Sequence, residues 1–492
     1  MGRDYFVSHS GNDDFDGLTV ASAWKSVARA TSHHFEDGDS LFFEGGHVFE
    51  GTLRITDLHA DRIGFMMSSF GTERAVLDGG SGSAIVLKDS KGVSVTNLSL
   101  QGMGRRSGNV HGVGVLVDHC AHVTIDGVEA AGFQFAGIAV EGSEHVSITH
   151  VYARDNGFAG ITTRGDVNKD VYIGHSRAIN NPGDPSITDN HSGNGICLYS
   201  VQGALVEYSE AAENGWDMQQ ENWNGPVGIW TAAGADSVVI QYCISHHNKS
   251  PKGDGGGFDF DGGTTNCLMQ YNYSYQNGGC GYLLCQYPGG ALWKNNTIRY
   301  CISENDGLTD HRAGIFTYMG EILYDCFVYN NVIYNEAARH CIHGAPIGSH
   351  WHNNVFLLGG EGEFLHQVEQ DTGSWFHGNC YWRLNGDLGM NAYSSIDEWR
   401  QATGFELLGE RKTGLQMDPQ ICLPPADAVR PTDPRELRTM QWFRLSDDSP
   451  LARVGLDLKT LFAIDPGNTD FFGMPLPSTE FSLGICEVSD GL

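Results

Sequence analysis

What most constrains this chain is a unit of about 22 to 24 residues that recurs from about Ala84 to about Gly360. The segments AGIAVEGSEHVSITHVYARDNGF, AGITTRGDVNKDVYIGHSRAINN, VGIWTAAGADSVVIQYCISHHN, GGFDFDGGTTNCLMQYNYSYQN and AGIFTYMGEILYDCFVYNNVIYN align one beneath another. Each reads as a strand opened by glycine, a turn, a second strand and a short third strand ending near asparagine. A unit this short cannot bury an apolar face alone, whereas stacked units at about 4.8 Å per rung share one continuous core. The repeat therefore predicts an all-β solenoid, and 492 residues need not mean several domains.

Composition agrees with many turns and short strands: 65 glycines and only 18% charged residues. A net charge of −30 repels polyanions and argues against nucleic acid as a partner. No apolar run is long enough for a membrane span. The opening MGRDYFVSHSGNDD lacks the apolar stretch of a signal peptide, so a secreted or periplasmic location would need a leader already removed, and the compartment stays open. The 12 cysteines stand singly, several inside apolar strand patterns (Cys197, Cys243, Cys267, Cys301), and predict buried free thiols. Tyr208, Tyr242, Tyr271 and Tyr300, and the terminal Asn156, Asn214, Asn248, Asn277 and Asn305, recur at near-equivalent places. They predict aromatic stacks and amide ladders that hold the coils together.

Insertions enter the repeat at one point, after the third strand and before the next glycine: Pro182 to Ser192, Gly215 to Pro226, Lys249 to Gly256 and Asp306 to Arg312. Insertion at one corner builds loops on one side of a solenoid, which is where such proteins bind. The first strand of each coil runs beside that corner. Placing Phe258, Phe260, Tyr282, Leu284, Ile315 and Thr317 inward leaves Tyr199, Trp230, Asp259, Asp261, Phe316 and Tyr318 outward. This aromatic stripe with a carboxylate pair suits sugar rings, whose C–H faces stack on aromatics while hydroxyls bond to acids. Trp216 and Trp223 are further stacking candidates; Asp217, His246, His247, Asp310, His311 and Arg312 are candidates for polar contacts to substrate.

Residues i and i+2 of a strand lie about 6.6 to 6.8 Å apart at Cα. That suits the wide carboxylate spacing of an inverting glycosidase, so Asp259 and Asp261 are read as general acid and base, with Glu221, Asp217 or Asp306 as a helping loop acid. The bland alternative is that both aspartates bind Ca²⁺ or cap a turn. No other cofactor is indicated, since no P-loop, GxSxG, HExxH or EF-hand pattern occurs.

The repeat, the opening YFVSHSGNDDFDG with a short helix around Trp24 to Ala30 and GDSLFFEGG, and the closing SSIDEWRQATGFE, DPQICLPP and DSPLARVGLDL together resemble the pectate-lyase-like right-handed parallel β-helix superfamily. The resemblance implies an all-β, single-stranded right-handed parallel β-helix. Residues 1–83 would form a strand and helix cap with the first coils, 84–384 the helix with its loops, and 385–492 a segment covering the last coil. It also implies a poly- or oligosaccharide partner bound along one sheet. No polygalacturonase or alginate-epimerase signature is present, so catalytic roles do not carry over. Hydrolysis by the aspartates is one reading. A lyase using Lys252, His311, Arg312 and Tyr318 is another, and a non-catalytic glycan binder a third. The sequence leaves the oligomeric state open, a homo-oligomer included.

Overall fold

Each repeat folds as three consecutive strands, and strands of successive repeats pair in parallel. Ala136–Glu141, Glu144–Thr149 and Tyr152–Arg154 pair with Ala159–Arg164, Asn168–Gly174 and Arg177–Ile179 of the next coil. Ile138 opposes Ile161, Val146 opposes Val171 and Ala153 opposes Ala178; all six are buried. Alternation thus becomes rows of apolar side chains running through the coils. The chain is all-β, a right-handed parallel β-helix of three sheets, formed by the first, second and third strands of the coils.

The computed structural model describes residues 2–309, 311–336, 340–368 and 373–488. They form two compact units: Met1–Thr231 with Lys249–Gly253, and Ala232–Asn248 with Asp254–Leu492. In the first unit Asp4–Val7 pairs with Ser40–Glu44, and the helix Val27–Thr31 starts on Ser26, whose side chain accepts from the Arg29 N–H. Trp24 is fully buried there, stacked on Tyr5 at 5.1 Å between ring centroids.

In the second unit Phe258, Tyr282, Ile315, Ile342 and Leu365 follow one another in register along the first sheet. The Phe258 and Tyr282 rings stack at 5.2 Å. Glycine opens this strand for want of room: a Cβ on Gly257 would lie 2.2 Å from Ser274 Oγ.

The corners carry the ladders. Asn248 donates from Nδ2 to Asn277 Oδ1 at 2.9 Å, and Asn277 donates to Asp306 Oδ1 at 2.8 Å. Asn156, Asn181 and Asn214 make the same ladder in the first unit. Asn305, expected as the last rung, lies outside it; its neighbour Asp306 takes the place. A second ladder, Asn331, Asn354 and Asn379, ends on the buried carboxylate of Glu406. Tyr242, Tyr271 and Tyr300 stack at 4.8 and 5.7 Å, each with positive φ at the turn between second and third strands. Replacing Asn277 by alanine strips partners from the Asn248 amide and from Asp306, each buried. It is expected to lower stability by about 2 to 5 kcal/mol in urea-unfolding measurements.

The closing segment does more than cover the end. Its helix Ile396–Thr403 starts on Ser395 and ends at Gly404, and Trp399 and Phe405 pack on Tyr381 and Phe376 of the last coil. From Ile421 onward the chain runs back along earlier coils. Asn353 donates to Leu456 O, Tyr329 to Asp465 O and Tyr271 to Thr469 O, and Arg438 donates to Tyr242 Oη at 2.7 Å. The expected end cover describes only the first part of this segment; the rest is a strap along the corner between second and third strands. All 12 cysteines are free, and ten are buried. No helix of the described residues is long and apolar enough to cross a membrane.

Candidate functional site

The strand Gly256–Phe260 carries the central carboxylates. Phe258 and Phe260 are fully buried in the core, and Asp259 opens an outward row that continues in register through Leu283, Phe316, His343 and His366. Asp261 lies one residue beyond the strand and is half-buried. Its Oδ1 accepts from the Gly262 N–H at 2.6 Å. Gly262 has no space for a side chain, because the Tyr287 ring would stand 2.3 Å from its Cβ.

The aspartates have different environments. Asp259 is 2% exposed, and its Oδ1 finds no hydrogen-bond partner among the described residues. Burial, with the nearby charges of Asp261 and Asp254, holds its pKa well above the usual carboxylate range. Asp261 is pushed up to about 6 by burial, against the lowering influence of the Cys285 thiol and the Gly262 N–H. A third carboxylate, Asp254, sits at the end of the inserted loop with positive φ, its Oδ1 2.9 Å from His311 Nε2. The His311 ring lies over Phe316 at 4.1 Å. Burial and the charges of Asp261 and Asp259 raise the Cys285 thiol, and burial and the Asp261 charge raise the Tyr287 phenol. Asp259 thus lies in the strand, with the histidine-paired Asp254 before its start and Asp261 just past its end. Carboxyls whose environments separate their pKa values are the pattern of acid and base work.

Several expected site residues lie elsewhere. Asp306 is no groove acid: it is fully buried and ends the amide ladder, accepting from Asn277 and Ser303. Burial raises it to about 7, and those hydrogen bonds oppose the shift. His246 is also no groove residue. It belongs to a third strand, Ile244–His246, buried and stacked on Tyr275 at 4.5 Å, with His247 beside it at 2.8 Å between Nδ1 atoms. Arg312 and Tyr318 are exposed near His311 and Phe316 in sequence, and Tyr318 is in register with Cys285. Asp310 lies outside the described residues.

Tyr199, Trp216, Asp217, Glu221, Trp223, Trp230 and Lys252 belong to the first unit. Trp230 is buried, edge-on to His191 at 5.0 Å and to Tyr199 at 5.3 Å, and so is no stacking platform. Tyr199 Oη lies 3.2 Å from His191 Nε2. Trp216 and Trp223 are 47% and 62% exposed. Trp216 donates to Asn180 Oδ1, and the Lys252 ammonium lies 5.7 Å from the centre of the Trp223 ring. Asp217 is no free acid, since Arg105 pairs with it. Glu221 is exposed in the same loop.

Sequence reading missed Asp254, His191, Tyr287, and the histidines at the far end of the outward row. Asp254 precedes three glycines at the end of an insertion, and its partner is 57 positions away. HCIH and EFLH, one coil apart, were a readable signal: each puts polar residues three apart in consecutive first strands. Among the described residues, the donor sets that converge within 4.8 Å are His9 with Glu44 and His47, and His340 with Glu363 and His366.

The family model described as "Right handed beta helix region" matches residues 83–283. A lacto-N-biosidase of Bifidobacterium longum subsp. longum is 32% identical over 134 residues, 26% of this chain; the chain spans only 8% of that relative's length. The crystal structure of the GH136 lacto-N-biosidase from Eubacterium ramulus matches with a TM-score of 0.54 and 18% identity, over 74% of this chain and 65% of that one. Pectate lyase Pel9A matches with a TM-score of 0.46 and 15% identity, over 99% of this chain and 97% of that one.

Proposed function

We propose that this right-handed parallel β-helix is a glycoside hydrolase acting on an oligo- or polysaccharide over the outward row of the first sheet. Asp261 is the proton donor to the leaving oxygen, and Asp254, oriented by His311, is the carboxylate that meets the other side of the scissile bond. Asp259 supports them from the strand between, where burial raises its pKa. The observation that carries this reading is Asp261, pushed up to about 6 by burial and within electrostatic reach of Asp254, which pairs with His311. The name lacto-N-biosidase, borne by the relatives in sequence and in fold, agrees with a glycosidase.

The inverting outcome rested on Asp259 and Asp261 acting as the pair. With Asp259 buried, the pair becomes Asp254 and Asp261, and the configuration of the released sugar decides whether Asp254 activates water or attacks directly.

The test is digestion of a panel of neutral and uronate-containing glycans, followed by NMR of the released sugars. Hydrolysis yields a new reducing end without an unsaturated ring. A product with conjugated ultraviolet absorbance would replace the reading with β-elimination. Binding without any product across the panel would replace it with a glycan-binding protein.

A further inference from the structure

At the far end of the outward row, three and four coils from Asp259, two imidazoles and a carboxylate from neighbouring first strands come together. His340 and His366 stack face to face, with ring centroids 3.9 Å apart and planes 8° from parallel. Glu363 Oε2 lies 2.5 Å from His366 Nδ1, and the Glu363 backbone N–H faces His340 Nδ1 at 3.3 Å. One ligand atom from each of the three falls within 4.8 Å of the others. His343 stands alongside, its ring edge-on to His366 at 4.8 Å and its Nε2 on Gln367.

We propose that His340, Glu363 and His366 bind a divalent transition metal of the zinc class. Two imidazoles and one carboxylate are a borderline-soft donor set that favours zinc over calcium or magnesium, both of which take oxygen shells. The register supplies the geometry: His340 and Glu363 are direct partners on adjacent strands, and His366 follows Glu363 on the same strand. Metal–ligand bonds of about 2.0 to 2.2 Å require the three atoms to draw together by a modest side-chain rotation, replacing the His366–Glu363 hydrogen bond and the long contact to His340. Glu363 and His366 are partly exposed while His340 is buried, so the ion would be held from beneath and keep a position open towards the outward face. Three to four rungs of about 4.8 Å put this site about 14 to 19 Å along the sheet from Asp259, too far to touch the aspartates. The ion would tie the last two first strands together and offer a Lewis-acidic contact to an oxygen of a bound ligand.

Isothermal titration of the intact protein with Zn²⁺, beside Ca²⁺ and Mg²⁺, tests the proposal, together with the visible absorption of the Co²⁺-loaded protein. The expected result is one high-affinity Zn²⁺ equivalent, a rise in melting temperature on loading, and a tetrahedral-type Co²⁺ spectrum. His366→Ala and the near-isosteric Glu363→Gln should each weaken binding by ~10-fold or more. His9→Ala should leave it unchanged, although His9 is part of the other convergent set. No Zn²⁺ binding, an equal response to Ca²⁺, or binding that survives His366→Ala and Glu363→Gln but not His9→Ala would overturn the proposal. Melting curves of the metal-free variants show whether they are folded; should His366→Ala unfold, Glu363→Gln and the Co²⁺ spectrum decide.

Discussion

Asp261→Asn is expected to lower kcat on the best glycan by about 10²- to 10⁴-fold, with the melting temperature little changed, because asparagine keeps the shape of the side chain but cannot give up a proton. Asp254→Asn should cost a similar factor, since it removes the charge that faces His311. Asp259→Asn should cost far less, because burial already favours the protonated form of the Asp259 carboxyl. The pH profile carries the same information. A donor with a pKa of about 6 is protonated below that value, so kcat/KM should be flat on that side and fall tenfold per pH unit above about 6. In Asp261→Asn that alkaline limb should vanish from the residual activity. Full activity in Asp261→Asn, or an alkaline limb that persists in it, would remove Asp261 from the chemistry.

The second large effect concerns the strap. Glu304 is completely buried in the third strand Ile302–Glu304, where Oε1 accepts from Arg430 Nε at 3.0 Å and Nη2 at 2.6 Å while Oε2 accepts from the Tyr273 hydroxyl. Arg430 comes from the closing segment, 126 positions later, and is itself almost fully covered. Removing one member of such a pair leaves a buried charge without its counterion. Arg430→Ala should therefore destabilise the second unit by about 3 to 5 kcal/mol in urea or thermal unfolding. The double variant Glu304→Met with Arg430→Met should recover much of the loss, because it removes the desolvated charge together with its partner. If Arg430→Ala melts like the unchanged protein, the strap is held by its other contacts and the pair contributes little.

Much of the architecture was legible because it is local. A period of two within a strand assigns Phe258 and Phe260 to the core and Asp259 to the outer face, whatever lies on the neighbouring coils. The spacing of the repeat likewise announces stacked coils. Tyr242, Tyr271, Tyr300 and the asparagines announce their ladders, while the His175 partner of Tyr208 and the exchange of Asn305 for Asp306 were left to the structure. That exchange shows the limit. Which of two adjacent side chains enters the ladder depends on the exact corner geometry, and the losing reading had placed Asp306 in a groove.

What the tertiary structure decided are the contacts between coils and between distant segments. His311 meets Asp254 across 57 positions because inserted loops of unequal length bring their ends over the same sheet edge. Asp259 is outward by alternation yet almost without solvent, since exposure depends on what neighbouring coils place beside it. Trp230 is buried for the same reason. The direction of the closing segment, back over the tyrosine stack as well as across the last coil, rests on long-range partners such as Arg438 with Tyr242, 196 positions apart. By itself the sequence determined a solenoid with an acidic, aromatic outer row, because strand pleat and repeat spacing are written residue by residue. Only the tertiary structure chose which acids in that row hold protons, because a carboxyl's pKa is set by the solvent it loses and the charges it meets, and both come from residues far away in the chain.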